Sequence, residues 1–389
     1  MHAEPSLRPT HENRSMTDFS QRLASLTSEP SRDDAGNPDR LARVERTRTE
    51  MMLQGSAIAA TLQAQGTALA DIAAAVAQRG IRRVVVTGCG DSWFAAMGVR
   101  HAFESLTGLP FEAAQALDFA CYGAQSCDDQ TLVVGISSGG NTPAVMAALA
   151  AARARGAFAL GVSNTPGSAI LRQFDGALLV HALRKGWPTQ STNATMALLI
   201  ALAQHLAPGA LAHETGRRMA ALIPILDALS LQLDATMEKI AREIRATQLV
   251  LFAGLGPNLA AAHMGAAKVK ELSPIHALAL PLEEYHHYRT QKRGDPLFLI
   301  ATDAASAQRA LDTALVSQSR GGYTVALLST PSPEIAERVQ QVVMLPPVHA
   351  TLCAFVASVP LHLMAYHFAK ARDALGLGHA SAPAAPSAD

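Results

Sequence analysis

Runs of Val, Leu and Ile alternate along this chain with alanine-rich stretches of helical periodicity. The apolar runs include RVVVTG at 83–88, TLVVGI at 131–136, FALGVS at 158–163 and LVLFAG at 249–254. Near-continuous runs of this kind are typical of strands that are buried on both faces. Strands that alternate with helices predict a parallel sheet with right-handed crossovers, so we expect an α/β fold.

Two halves of the chain match each other at a constant offset of 166 residues. GCG at 88–90 falls on GLG at 254–256, LVVGIS at 132–137 falls on FLIATD at 298–303, and ALGVSNTP at 159–166 falls on VALLSTPS at 325–332. We therefore predict two doubly wound domains, at residues 46–212 and 213–375, with ligands bound at the carboxyl ends of the strands. Residues 1–45 and 376–389 are polar or Ala/Pro-rich, and we expect both to be disordered.

Composition and charge exclude several classes of function. The 389 residues are 49% hydrophobic, and 32 basic residues balance 32 acidic ones. A neutral chain does not favour nucleic acid or a membrane surface as partner. We also expect no membrane span, since no uncharged apolar run reaches about 18 residues. The four cysteines have no metal-ligand spacing and no signal peptide is evident, so we expect no metal and a cytoplasmic location.

The stretch SSGGNT at 137–142 combines three hydroxyl side chains with two glycines, between a strand and a helix that starts near Pro143. Free backbone amides and the helix dipole make such a turn an anion site. Ser137, Ser138 and Thr142 add hydroxyl donors, and Gly139 lets a ligand approach the backbone closely. A phosphate fits this set, and the alternative is an ordinary capped helix with a flexible turn.

The second half provides an internal comparison for this turn. At the offset of 166, SSGGNT falls on DAASAQ at 303–308, which puts Asp303 where a phosphate is expected in the first half. A turn needed only for folding would not be hydroxyl-rich in one copy and acidic in the other. The chain has no G-K-S/T ending of a P-loop, and GCG lacks a third glycine, so a sugar phosphate is favoured over a nucleotide.

Three segments, GCGDSWFAAM, ISSGGNTPAV and GVSNTPGSAIL, resemble the SIS (sugar isomerase) domain family. GAAKVKELSPIHALALPLEEYHH at 265–287 is similar to the isomerase part of glucosamine-6-phosphate synthases. The resemblance covers about residues 45–370. It implies a pair of flavodoxin-like αβα sandwiches, in agreement with the repeat.

The resemblance also implies roles for individual residues. Glu271 matches the carboxylate that moves a proton between the first two sugar carbons. His287 matches the histidine that opens the sugar ring, and Lys268 matches a lysine of the same site. The resemblance assigns phosphate binding to Ser137, Ser138, Gly139 and Thr142. It assigns sugar binding to Gly88, Gly90, Ser92, Ser191 and Thr192. Without the resemblance, Lys268 and Glu271 would be interpreted as a surface ion pair of a helix, and EEYHHY as a polar loop.

The family's chemistry suits these residue types. Aldose–ketose conversion needs a base that reaches two carbons and a group that titrates near neutral pH at the ring oxygen. No cofactor is implied. The family places the ring-opening histidine in the neighbouring subunit's site, so we expect a homodimer with shared active sites.

The sequence departs from the synthases at three points. No cysteine precedes Cys89, so we expect no glutaminase activity; Lys370 does not match the synthases' C-terminal lysine; and Gly139 replaces a family serine. These departures favour stand-alone relatives that isomerise or deaminate amino-sugar phosphates, or that cleave fructosamine 6-phosphates as deglycases do. The sequence leaves these activities open. The alternative from another class is a sugar-phosphate-binding regulatory protein without catalysis.

Overall fold

The computed structural model describes residues 39–288 and 290–377, which fold into two parallel sheets with helices on both faces. The first sheet has the strand order β2-β1-β3-β4-β5 and the second β7-β6-β8-β9-β10, so the two halves repeat one topology. This confirms the predicted α/β fold. The strands are β1 (Arg83–Gly88), β2 (Phe111–Gln115), β3 (Thr131–Ile136), β4 (Phe158–Ser163), β5 (Gly176–Leu179), β6 (Leu249–Gly254), β7 (His276–Pro281), β8 (Pro296–Ala301), β9 (Tyr323–Leu328) and β10 (Gln341–Met344).

The helices complete two sandwiches that share a central layer. They are α1 (Asp39–Met51), α2 (Gln54–Ala77), α3 (Asp91–Thr107), α4 (Ala116–Cys121), α5 (Pro143–Ala154), α6 (Gln190–Leu206), α7 (Ala210–Ile244), α8 (Pro257–Leu272), α9 (Leu282–Tyr288), α10 (Ala307–Ser319), α11 (Pro333–Ala336) and α12 (Cys353–Asp373). One hydrophobic core joins the inner faces of both sheets through α2, α3, α6, α7, α8 and α12. Two smaller cores lie under α4 and α5 and under α9 and α10.

The first turn of each half has the same unusual backbone. Gly90 has φ 54° and ψ −129°, and Gly256 has φ 56° and ψ −124°. This left-handed region favours glycine. The glycine two residues earlier is needed for a different reason, because a Cβ on Gly88 would lie 2.6 Å from Cβ of Ser92.

The constant offset of 166 residues holds through the turn after the third strand of each half. Leu132 and Val134 of β3 face the shared core, as do Phe298 and Ile300 of β8, so an offset of 166 keeps each side chain on its own face of the sheet. Ser137 Oγ and Asp303 Oδ1 each accept from the backbone N–H three residues further on, which places Asp303 opposite Ser137. β4 and β9 begin 165 residues apart, so the second half is one residue shorter between its third and fourth strands in sequence.

The expected disorder of residues 1–45 is wrong for residues 39–45, since α1 begins at Asp39. Its buried stripe contains Arg40, Val44, Thr47, Glu50 and Met51, which have helical spacing. Only two of these side chains are apolar, which is why the hydrophobic pattern did not reveal the helix. Residues 1–38 and 378–389 lie outside the described part of the chain.

The predicted boundary at 212/213 falls inside α7, with all five strands of the first sheet before it and all five of the second after it. Two helical stretches, 210–244 and 350–373, are long and apolar enough by composition to cross a membrane. The expectation that the chain has no apolar run of about 18 residues is therefore wrong as a statement about composition. The apolar part of 350–373 is completely buried inside the fold.

Candidate active site

A cavity of about 280 Å³ lies at the carboxyl ends of the strands of the first sheet. The turns after β1, β3 and β4, the segment after β5, and the start of α6 form its walls. Glu271, from α8 of the second half, closes one side. The lining residues that the argument uses are Gly90, Asp91, Ser92, Ser137, Ser138, Gly139, Thr142, Asn164, Arg184, Ser191, Thr192 and Glu271.

The turn at 137–142 is held by its own hydrogen bonds. Ser137 is buried, and its Oγ accepts from the backbone N–H of Gly140 at 2.9 Å and pairs with Oγ1 of Thr142 at 2.8 Å. Ser138 Oγ donates to Oδ1 of Asn164 at 2.9 Å. Thr142 occupies the N-cap position before Pro143, without a side-chain bond to a helix amide. Ser137 and Thr142 therefore shape the turn as well as lining the cavity.

The same turn offers donors to an anion. The backbone amides of Ser138, Gly139 and Asn141 have no hydrogen-bond partner among residues 39–288 and 290–377. The Arg184 guanidinium lies against the turn, and a Cβ on Gly139 would come within 3.0 Å of its Nη2. The glycine thus makes room for an arginine. Free amides beside a guanidinium are suited to a phosphate.

The other predicted substrate-binding residues divide into two groups. Gly90, Ser92, Ser191 and Thr192 line the cavity. Gly88 does not line it and allows the close approach of β1 to α3, so its predicted contact with substrate is corrected to a structural role.

A cluster of three charged side chains lies at the side of the cavity that α8 closes. Lys268 is fully buried, and its Nζ donates to Oδ2 of Asp91 at 2.5 Å and to Oε2 of Glu271. The predicted pair of Lys268 and Glu271 therefore forms, but inside the protein and with a third member from the first half. Because Lys268 does not line the cavity, it is a positioning residue here, and Glu271 presents the carboxylate.

Burial raises the pKa of Glu271, with Lys268 acting to lower that pKa and Asp91 acting to raise it. Burial alone would lower the pKa of Lys268, but the Asp91 and Glu271 carboxylates outweigh it and raise that pKa. The lysine thus remains an ammonium, and the glutamate side chain keeps 31% of its surface exposed. A carboxylate with a raised pKa is suited to taking up and returning a proton near neutral pH.

His287 is exposed on the short helix α9 and does not line the cavity of its own chain. One chain therefore brings Glu271 to the phosphate turn but leaves out the predicted ring-opening group. Within the described residues, no group of three His, Cys, Asp or Glu side chains is placed to hold a metal ion.

Sequence reasoning missed Asp91, Asn164 and Arg184. Asp91 was visible as the fourth residue of GCGDS, but nothing local shows that it meets a lysine 177 positions later. Arg184 lies in HALRKGWP, which has no strong periodicity. Position 139 is a glycine where the family has a serine, and this was the only sequence signal that another residue supplies a donor to the turn.

Comparisons with known proteins agree with this architecture. The SIS domain family model matches residues 79–205 and 243–372. A glutamine–fructose-6-phosphate aminotransferase (isomerizing) of Gloeobacter violaceus is 30% identical over 308 residues, which cover 75% of this chain and 49% of that protein. The chain thus spans about half the length of the curated relatives that it matches.

Two solved structures show the same fold at low identity. The C-terminal domain of glucosamine-fructose-6-phosphate aminotransferase from Francisella tularensis has a TM-score of 0.71 at 22% identity, covering 84% of this chain and 96% of that one. A glucosamine-6-phosphate deaminase from Thermotoga maritima has a TM-score of 0.63 at 17% identity. The match covers 89% of this chain and 98% of that one.

The raised pKa of Glu271 predicts a pH-dependent contribution to stability. The folded state binds the proton more tightly than the unfolded state, in which the ordinary value is about 4.5. The free energy of unfolding of the wild type, minus that of Glu271→Gln, should therefore fall as pH rises from about 4.5 through the raised folded-state pKa. Urea unfolding at a series of pH values measures this difference, and a difference that grows with pH would contradict it.

Glu283→Gln is the matched control. The Arg309 guanidinium lowers the pKa of the exposed Glu283. The free energy of unfolding of the wild type, minus that of Glu283→Gln, should therefore change in the opposite direction and fall as pH drops below about 4.5.

Proposed function

The chain belongs to the SIS domain family, and from this premise we propose that it is an enzyme acting on an amino-sugar or fructosamine 6-phosphate. The observation that carries the proposal is the cavity itself, which is lined both by the turn at 137–142 and by Glu271, whose carboxylate is held by the buried Lys268. These groups come from different halves of the chain, which suits a ligand that carries both a phosphate and the reacting carbons.

Glu271 is the proposed base. In the open-chain aldose, its carboxylate takes the proton from C2, and the electrons of the C–H bond form the C1=C2 double bond of an enediol as the carbonyl oxygen gains a proton. Return of the proton to C1, with loss of the proton from the C2 oxygen, gives the ketose. The buried ammonium of Lys268 holds the carboxylate in place, so the base is oriented before the substrate arrives.

The same residues serve deamination and deglycation. Proton transfer at C1 and C2 converts a 2-amino sugar to an imine at C2, and water then releases ammonia. In a fructosamine 6-phosphate, the reverse shift gives an imine at C1, and water releases the amine and glucose 6-phosphate. A mass-spectrometric screen of fructose 6-phosphate with ammonia, glucosamine and galactosamine 6-phosphates, and fructosyl-amino-acid 6-phosphates detects amination, deamination and deglycation, since each of these reactions changes the mass of the sugar phosphate.

We also propose that the enzyme is a cytoplasmic homodimer without a cofactor. The exposure of His287 supports the dimer, since the resemblance requires this side chain in a neighbouring subunit's site. Cys89, Cys121, Cys127 and Cys353 are all free thiols, which supports a reducing compartment.

Arg184→Gln should weaken binding of glucose 6-phosphate by about tenfold or more, because a hydrogen bond to a charged group contributes roughly 1.5–3 kcal/mol. Isothermal titration calorimetry measures the dissociation constant. Lys185→Gln is the matched control, since the neighbouring lysine is exposed and does not line the cavity. Equal affinities of Arg184→Gln and wild type would remove Arg184 from the anion site.

Glu271→Gln should lower kcat by about 10²- to 10⁴-fold, the usual contribution of a positioned proton-transfer group, with little change in KM. In D₂O the wild type should wash deuterium into C1 or C2 of the substrate identified in the screen, and the variant should not. Glu238→Gln, on the exposed face of α7, is the control. Wild-type turnover by Glu271→Gln would leave the non-catalytic sugar-phosphate-binding protein as the function to pursue.

Mixing two inactive variants tests the shared site. If His287 completes the partner subunit's cavity, Glu271→Gln and His287→Ala chains should form hybrid dimers in which one of the two sites is intact, with activity partly restored. Activity assays after joint refolding, with dimers verified by light scattering, measure this. A fully active monomer would overturn the dimer proposal.

A further inference from the structure

A second cavity, of about 410 Å³, adjoins the candidate active site. Four residues line both cavities, namely Ser138, Arg184, Pro188 and Glu271. The other walls of the second cavity are α1, the segment at 186–187 and the last turn of α8. A molecule bound in the first cavity can therefore extend past Glu271 into the second.

The described residues that line the second cavity are mainly cationic among their charged members. They include Arg40, Arg43, Arg184 and Lys270, whereas Glu271 is the one carboxylate among them. A concave surface with an excess of one charge raises the local concentration of ions of the opposite charge. The second cavity is thus suited to an anionic group.

Two neighbouring carboxylates do not cancel this excess at the wall of the cavity. Asp91 accepts from the ammonium of Lys268 at 2.5 Å, so these two charges balance each other. Glu50 Oε1 accepts from the backbone N–H of Gly186 at 2.9 Å. Neither carboxylate lines the second cavity.

Arg43 is held beside the catalytic carboxylate. Its guanidinium lies 4.1 Å from the centroid of the Trp187 ring, and Trp187 is buried. The Arg43 charge also acts to lower the pKa of Glu271. A guanidinium has five N–H donors and can hold a ligand carboxylate together with other contacts. Lys270 is exposed at the same wall and adds a second cation next to Glu271 in sequence.

The proposed reaction determines which part of a substrate lies here. Glu271 transfers a proton between C1 and C2, so a group attached to C1 lies close to the residue that both cavities share. A 2-amino sugar phosphate carries only a small amino group at these carbons. A fructosamine 6-phosphate instead carries a second molecule on its C1 nitrogen, and this second molecule is the part that can enter the second cavity.

We propose that the second cavity is a binding site for the carboxylate of an amino acid whose nitrogen is attached to C1 of the sugar phosphate, with Arg43 and Lys270 as its partners. The inference rests on the proposed function and deepens it, because it selects fructosyl-amino-acid 6-phosphates among the substrates that remain open. Hydrogen bonds between a carboxylate and a guanidinium or ammonium are roughly twice as strong as those between neutral groups.

Hexitol phosphates provide probes that bind without reacting, because they have no carbonyl group. The first probe is N-(1-deoxyglucitol-1-yl)glycine 6-phosphate. The second is the corresponding glycinamide, which has the same size and the same amine but no carboxylate charge, and the third is glucitol 6-phosphate. Calorimetry with wild type should give an affinity for the glycine probe about 10- to 100-fold higher than for the glycinamide probe.

Arg43→Gln and Lys270→Gln should each reduce this ratio of affinities, and the double variant should abolish it, with the affinity for the glycinamide probe unchanged. Arg46→Gln is the matched control, since Arg46 is exposed on the same helix and does not line the cavity. A wild-type ratio in the double variant, or an equal loss of affinity for both probes, would overturn the inference.

The wild-type measurements decide the matter even if the double variant does not fold. Equal wild-type affinities for the glycine and glycinamide probes overturn this inference alone and leave the phosphosugar proposal intact. Failure of all three probes to bind wild type overturns the phosphosugar proposal and this inference with it.

Discussion

The buried ammonium of Lys268 is the interaction on which the site depends. It joins Asp91, at the start of a helix in the first half, to Glu271, at the end of a helix in the second. Taking three charges out of water is costly, and loss of one partner from a buried ion pair typically costs about 3–5 kcal/mol because the remaining charge stays buried. Such a cluster is therefore weak as a source of stability, but it fixes where one half presents its carboxylate to the cavity of the other.

The two halves share a backbone and differ in chemistry. Gly90 and Gly256 adopt the same left-handed turn, yet the turns after β3 and β8 have diverged. In the second half, Asp303 Oδ1 accepts from the backbone N–H and the hydroxyl of Ser306, and its Oδ2 accepts from Asn258. The Asp303 carboxylate thus caps the turn from within the chain, at the place where an anion is expected in the first half. The second half thus supplies Lys268 and Glu271 to the first, and its own turn after β8 is capped by Asp303.

The fold was predictable because its signal is local. Continuous β-branched runs identify strands buried on both faces, and a repeat with small-residue turns places the cavity at their carboxyl ends. The pair of Lys268 and Glu271 was predictable because residues three apart share a helix face, but its burial was not, because that depends on α3 and α12 packing around α8. Asp91 and Arg184 were missed for the same reason, since each acquires its role from residues distant in the sequence. The offset of 166 residues fails at β9, because a connection that is shorter by one residue is invisible where the sequences have diverged.

Helix α1 was also missed, and it contacts two segments that line the cavity or lie beside it. Arg40 donates from Nη2 to the backbone carbonyl of Glu271. Ten residues later, Glu50 Oε1 accepts from the backbone N–H of Gly186 at 2.9 Å, and Thr47 Oγ1 accepts from that of Trp187 at 3.0 Å.

The helix thus contacts the end of α8 that bears the catalytic carboxylate and the segment that bears Arg184, although it precedes both stretches that match the SIS domain model. Catalysis by a positioned carboxylate requires that its distance from the bound phosphate be fixed before the substrate arrives. The Lys268–Asp91 pair provides one contact between the halves at this site, and α1 provides a second, because it contacts both the end of α8 and the segment that bears Arg184.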